Sequence, residues 1–512
     1  MERDARRGMT TATLVLMGST LASRVLGLLR EALLAARLGT GSEADAYATA
    51  FQLPDLVNTL LAGGFLSLSF VPLYLDALRE RGKETAARFL GGVALLLGIS
   101  GVVAIGLLAV YARPVLQVMQ PGLVGTPTME RAIHLTRILL PAQLCFLLAG
   151  AWNGAQYAHR RFLVPAIAPL VYNMGILAGG WFLAPWMGAE GFAWGVLAGA
   201  VVGHLFLQAW GLWHSGAGVG FPREVGPELR AFVWRSLPLM LGLTLVFSSE
   251  FLLRRQAGFL GTGAVAQASY AFKLVMVLVA LFGGTAGVAS YPYMVDLVAR
   301  RDWDVLQELI RTSLRRLATL LVPVSCFASA FAHDLVRLAF RRGRFGEDAV
   351  VVVASHLAVM VWCVFPWCVQ IMLARALYAR GKFWLGAAMG TVCVLAAWPA
   401  WSFFVQRWGR GGLGAGLVLL VGLQAVVFAA AWWRSPSGNK AFAGLWTLLA
   451  ELALVSGSVA ATGRMLGGGL FGLGPFALLS GSATAVAVWA VWRKWPGVEA
   501  MTSRLRTRFG PS

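Results

Sequence analysis

Residues 23–72, SRVLGLLREALLAARLGTGSEADAYATAFQLPDLVNTLLAGGFLSLSFVP, are apolar enough to sit in a bilayer, yet they carry Arg24, Arg30, Glu31, Arg37, Asp45 and Asp55. A charge at the middle of a membrane helix costs about 2.5–3.5 kcal/mol on insertion scales. These side chains are therefore expected to face a water-filled interior or one another. The chemistry they suit is non-covalent. Arginine presents a planar fork of donors that matches the oxygens of a phosphate, and lysine adds a movable point charge.

Arg24 and Arg30 are six residues apart, so on one helix their faces differ by roughly 120°. Glu31 stands beside Arg30 and can pair with a cation. Lys273 lies in a later apolar run, and Arg30 and Lys273 together could hold a polyanion near the membrane centre. The plainer alternatives are structural ion pairs, such as Arg30–Glu31–Asp45, and cations that snorkel from helix ends. Arg37 reads as an interface residue. Glu250 and Arg254 have the i,i+4 spacing of a structural pair, with Glu250 a weak candidate for a coupling ion. Glu451 and Arg375 are isolated in apolar runs and stay unassigned.

Catalytic patterns are sparse. Asp302-Trp303-Asp304 has the spacing some glycosyltransferases use for a metal–nucleotide pair, but it sits in a short basic loop with no soluble nucleotide-binding domain. GGLGAG at 411–416 resembles a phosphate loop by letter only, because it opens an apolar helix with no strand before it. The expectation is a protein that is not an enzyme and binds no cofactor or metal. Coupling to sodium, protons or the membrane potential is open.

The elements that must carry these residues are membrane helices. The chain has 512 residues, is 58% hydrophobic and only 13% charged, where a soluble globular protein has about 25% charged residues. The net charge of +20 is distributed between apolar runs, as in cytoplasmic loops that face anionic lipid, and does not suggest nucleic acid. Cys145, Cys326, Cys363, Cys368 and Cys393 all lie in apolar stretches and read as packing residues, without a disulfide framework or metal site. The first residues mimic a secretory signal, but the apolar run resumes after Arg24, as in an uncleaved first helix.

A span needs about 20 mostly apolar residues. Fourteen runs qualify: 10–37, 44–77, 89–112, 132–158, 162–184, 189–213, 232–257, 262–297, 314–336, 349–379, 383–406, 411–433, 441–463 and 468–492. An even number puts both termini on one side. That side holds the larger share of Lys and Arg, so both termini are expected in the cytoplasm. The arginine-rich segment 333–348 fits the opposite side worst.

A repeat organises the runs. AQYAHRRF at 155–162 and ALYARGKF at 376–383 share four of eight residues, with two further basic-for-basic positions, at an offset of 221. The same offset brings Ala50-Phe51-Gln52-Leu53 onto Ala271-Phe272-Lys273-Leu274. Two parallel six-helix lobes follow, residues 1–220 and 221–434, with 435–512 supplying two extra helices and a basic tail. Such repeats are a transporter plan with the site between halves near midplane. Pro54 with Gly63 and Gly64, and Gly283 with Gly284, are expected hinges in corresponding spans; close packing at small residues is the alternative.

With these residues in view, the chain resembles the MurJ (MviN) family of lipid II flippases in the MOP exporter superfamily. The resemblance rests on SRVLGLLRE at 23–31, ADAYATAFQLPDL at 44–56, LSLSFVPLY at 66–74, RILLPAQL at 137–144, NGAQYAHRRFLVPAIAPLVYN at 153–173 and ARALYARGKF at 374–383. It implies an all-α bundle with two lobes around a central cationic cavity. It also implies two helices that guide a lipid tail, and alternating access that carries a polyprenyl-diphosphate-linked peptidoglycan precursor from the inner to the outer leaflet of the bacterial inner membrane. Arg24, Arg30, Glu31 and Asp45 match motif positions important in the family, and Lys273 falls where many members have Arg. Asn58 stands where Arg is frequent, and Gly63-Gly64 replaces an acidic–Gly pair, which opens the alternative of another polyprenyl-linked saccharide. The partners implied are the lipid-linked substrate and membrane lipids, with the protein acting as a monomer.

Overall fold

The computed structural model describes residues 2–61, 69–221, 226–234, 236 and 248–465. The first helices are α1 (Glu2–Leu38), α2 (Ser42–Ala50), α3 (Gln52–Leu61), α4 (Val71–Glu80), α5 (Lys83–Val110) and α6 (Ala112–Met119). Then come α7 (Pro127–Leu139), α8 (Ala142–Ala158), α9 (Leu163–Ala178), α10 (Ala184–Met187), α11 (Ala189–Ala200) and α12 (Leu207–His214). The later elements are α13 (Ser248–Ala257), α14 (Ala264–Val279), α15 (Thr285–Ala299), α16 (Trp303–Ala330), α17 (Ala332–Phe340) and α18 (Glu347–Met360). The last are α19 (Val364–Ala379), α20 (Phe383–Trp408), α21 (Arg410–Trp433) and α22 (Leu445–Met465).

Among the described residues nine helices are long and apolar enough to cross a membrane, or ten if α16 and α17, bent by 79° at their junction, form one broken span. They coincide with ten of the fourteen expected runs. The count of fourteen is not reached: run 10–37 forms α1 but is not among these helices. Run 468–492 lies outside the described residues, and most of 232–257 does too. Run 44–77 is interrupted at Phe51, and its 62–68 segment is also outside them.

The repeat recurs element by element. α5, α6, α7, α8 and α9 are followed 220–222 residues later by α16, α17, α18, α19 and α20. The α7–α8 break at Leu140-Pro141 has its counterpart in the tight turn Val361–Cys363 between α18 and α19. Both copies of the matching octapeptide end their helix in the same way. Arg161 N–H donates to the Gln156 carbonyl (2.8 Å) and Arg160 N–H to that of Tyr157 (2.9 Å). Lys382 N–H and Gly381 N–H do the same to Leu377 (3.0 Å) and Tyr378 (2.9 Å). This double bond pattern closes a helix with one left-handed residue. That residue is Arg160 (φ 58°) in one copy and Gly381 (φ 71°) in the other.

The chain forms two compact units. The first comprises residues 1–270, 339–353 and 383–416. One cluster in it packs Phe70, Tyr74, Phe89 and Phe232 as ring pairs 5.3–6.4 Å apart. Beside them His159, just past α8, hydrogen-bonds the Tyr74 hydroxyl (3.1 Å); burial, with Lys83 and Arg161 nearby, holds its ring below the usual histidine range. α9 and α11 meet through glycines: a Cβ at Gly175 would lie 2.4 Å from Gly199 Cα. α5 turns Ile99, Val102, Leu107 and Val110 outward, the surface a helix offers to lipid tails.

The second unit comprises residues 271–338, 354–382 and 417–512. Trp432 Nε1 donates to the Gln307 side chain (2.8 Å). Arg380 lies over the rings of Trp303 and Trp432, 5.3 and 5.7 Å from their centroids, and donates to Ser435 Oγ (2.6 Å). The five cysteines of the chain are buried thiols.

Candidate functional site

Arg30 is held on two sides. It is half-buried on α1 and sits beside Glu31, of which only 5% is exposed. Its Nε (3.2 Å) and Nη2 (2.8 Å) both donate to Glu31 Oε1. From α9, Asn173 accepts from Nη1 through Oδ1 (3.2 Å). Asn173 is held in turn, because its Nδ2 donates to Ser23 Oγ (3.3 Å) and to the Pro169 carbonyl (3.0 Å). The hydroxyls of Tyr172 and Tyr47 lie close enough to interact with the Arg30 charge. A guanidinium has five N–H donors, and three of those on Arg30 are engaged, so two remain for an anion.

The other candidates differ in setting. Arg24 is exposed on α1, with no hydrogen bond or ion pair among the described residues. Asp45 is fully buried, and its carboxylate accepts the backbone N–H groups of Gly263 and of Ala266 (2.7 Å). It caps the start of α14 across 218 residues of chain, and the triad Arg30–Glu31–Asp45 reduces to its first two members. Asn58 is exposed on α3. Lys273 is half-buried on α14, within the second unit, next to Phe272, whose ring is 5.9 Å from that of Trp367.

Glu250 and Arg254 form the expected i,i+4 pair on α13. Asp55 of α3 joins them, its Oδ2 3.4 Å from Arg254 Nη1. Arg254 is 5% exposed, while the two carboxylates are more open. Glu250 is thus committed to a cation already. Arg30 and Arg254 thus carry acid partners. Arg37 lies over Trp181, 5.9 Å from the ring centroid.

The expected hinges divide. Gly63 and Gly64 lie outside the described residues. Pro54 is buried near the start of α3 and has no N–H for the Ala50 carbonyl four residues back. The Thr136 hydroxyl of α7 stands 3.1 Å from that oxygen and 2.8 Å from the Ala132 carbonyl. Gly283 and Gly284 fall in a wide π turn, Ala280–Gly284, between α14 and α15. A Cβ at Gly283 would meet Cys368 Sγ at 2.6 Å, so this glycine also permits close helix packing.

Asp302 caps α16 by accepting from Val305 N–H (3.3 Å), and Asp304 pairs with Lys440 (2.8 Å). In GGLGAG, a Cβ on Gly416 would strike the Trp401 ring and one on Gly412 the Phe404 carbonyl. Both strings serve packing and capping. The arrangement around Arg30 suits reversible capture of an oxyanion.

The family described as lipid II flippase MurJ matches residues 34–475. The chain belongs to that family. It is 28% identical over 352 residues to a probable lipid II flippase MurJ of Rhizobium meliloti, covering 67% of this chain and 65% of that protein. The lipid II flippase MurJ of Burkholderia cenocepacia is 27% identical over 355 residues, covering 68% and 69%. A probable member from Bdellovibrio bacteriovorus is 25% identical over 437 residues, covering 83% and 82%. The chain thus spans about two thirds of the length of the Rhizobium meliloti relative. In fold it is similar to a lipid II flippase MurJ solved in an inward closed conformation, with TM-score 0.79, 16% identity and coverage of 94% of this chain and 99% of that one. A multidrug resistance MATE family transporter of the MOP superfamily, inward-facing, has TM-score 0.70 at 17% identity, covering 83% and 99%. Like those proteins, this is an all-helical, multi-pass membrane protein of the MOP fold.

Sequence reasoning found Arg30 and Glu31 by their neighbourhood in the chain. It missed Asn173, which lies 143 residues from Arg30, although Asn173 ends one of the strings that carry the family resemblance.

Proposed function

We propose that the chain is a flippase for lipid II, a transporter and not an enzyme. It moves the undecaprenyl-diphosphate-linked precursor from the inner to the outer leaflet of the bacterial inner membrane. The diphosphate engages Arg30, Lys273 and Arg24, while the polyprenyl tail stays in lipid. Alternating access comes from rocking of residues 1–220 against 221–434, with 435–512 beside the tail. The protein works as a monomer with both termini in the cytoplasm. Its energy source is sodium, protons or the membrane potential. The single observation that carries this reading is the Arg30 guanidinium, held on α1 by Glu31 and Asn173 with two donors left over, in a chain of this family.

The test is complementation. A bacterium depleted of its own lipid II flippase is supplied with the wild-type chain, Arg30→Ala or Lys273→Ala, at matched membrane levels. The wild type is expected to restore growth and each variant to lose it. Rescue by the variants would overturn the assignment of the cations. Failure of a well-expressed wild type would favour the second reading, a flippase for another polyprenyl-linked saccharide, which Asn58 at a frequent arginine position of the family supports.

A further inference from the structure

We propose that Asn173 is a positioning residue that aims Arg30 at the substrate diphosphate without cancelling its charge. This rests on the reading that Arg30 binds a polyprenyl diphosphate. Arg30 is gripped on two sides. Glu31 takes Nε and Nη2 on one edge, and Asn173 Oδ1 takes Nη1 from another helix. The grip of Asn173 is itself fixed, because both of its Nδ2 contacts, Ser23 Oγ on α1 and the Pro169 carbonyl on α9, are made by the same amide. Asn173 is only 7% exposed, so water does not compete freely for its amide.

The residue type carries the inference. An aspartate here would hold Arg30 as well and pair with it more strongly, but Arg30 already has the Glu31 carboxylate. A second carboxylate would leave no net attraction for an incoming phosphate. A neutral amide supplies the acceptor alone and fixes the plane of the fork. Planar recognition of phosphate depends on that plane, since the two remaining donors must meet two oxygens together. Pre-set orientation also removes rotamer entropy that binding would otherwise lose.

The experiment measures binding of undecaprenyl diphosphate to the full chain in detergent by native mass spectrometry. It compares wild type, Asn173→Ala, Arg30→Gln and the double variant, with melting temperature as the check on folding. Arg30→Gln is expected to weaken binding at least about thirtyfold, and Asn173→Ala about tenfold, the effect of roughly 1.4 kcal/mol. Adding Asn173→Ala to Arg30→Gln is expected to change binding by less than about twofold, because the amide acts through Arg30. Equal losses in both backgrounds, or none in either, would overturn the proposal. Unchanged binding by Arg30→Gln would instead defeat the reading of Arg30 itself, and this inference with it. If Asn173→Ala does not fold, Asn173→Asp decides. It keeps the shape and the contact with Arg30 but gives up the Nδ2 donation to the Pro169 carbonyl, so it is expected to melt below the wild type and to lose binding at least as far as Ala; wild-type binding by Asn173→Asp would overturn the proposal.

Discussion

The charged residues of the first helices do two different jobs that their types alone do not separate. Arg30 and Glu31 are adjacent in sequence, and their pairing was legible because two long, oppositely charged side chains on neighbouring residues can reach one another. Asp45 looks like a third member of the same set. Its carboxylate instead receives two N–H groups from the start of α14, which no spacing in the chain reveals. The first backbone N–H groups of a helix have no partner within it, and a carboxylate satisfies them and favours the positive end of the helix dipole. Asp45→Asn keeps one accepting oxygen and is expected to lower stability by about 1 kcal/mol, and Asp45→Ala by about 2 kcal/mol. Thermal unfolding in detergent would show this as a graded order, Asp above Asn above Ala. If Asn melts with Ala, charge and not capping governs the position.

The break near Pro54 was readable in the sequence, and its compensation was not; the break at Leu140-Pro141 falls inside run 132–158, read as one span. Pro54 was expected as a hinge, and the helix is interrupted three residues earlier, at Phe51. What stabilises it is Thr136, on a different helix and 86 residues from Ala50. Inside a membrane, a hydroxyl from a neighbouring helix is the usual way to satisfy a carbonyl that proline has left open. Thr136→Val is expected to destabilise the chain by about 1–2 kcal/mol, since it strands a buried acceptor. Pro54→Ala returns an N–H to the Ala50 carbonyl, so Thr136→Val should be close to neutral in the Pro54→Ala background. A double-variant cycle on melting temperature checks the coupling; simple additivity would disprove it. Gly283 shows the opposite case. Its sequence context suggests a hinge, and the structure adds a packing role against Cys368 that letters cannot supply.

For the whole molecule, hydropathy made ten spans legible, because period and length suffice to identify a membrane helix. The repeat at 221 residues was visible in one octapeptide and one tetrapeptide only. Side chains facing lipid are nearly interchangeable, so elsewhere the two copies keep helix length and order while their letters drift. On the proposed orientation, with both termini in the cytoplasm, exposed Arg161 falls on the cytoplasmic side and Trp186, 89% exposed at the end of α10, on the other. In intact spheroplasts, a membrane-impermeant maleimide is expected to label Trp186→Cys at once and Arg161→Cys only after lysis. The native cysteines are buried and should stay silent. The reverse order of labelling would invert the topology and place both termini outside.

The matched helix ends at Arg160 and Gly381 have a further consequence. A dimer of two identical half-length chains would carry every substitution twice, once in each copy. A fused, duplicated gene is free of that constraint, and the pairs have diverged: Gln52 against Lys273, Gly154 against Arg375, Arg160 against Gly381. A cargo without two-fold symmetry can then select different side chains at positions that began as one. The hydrogen-bonded ends, which answer only to backbone geometry, are what the two copies still have in common.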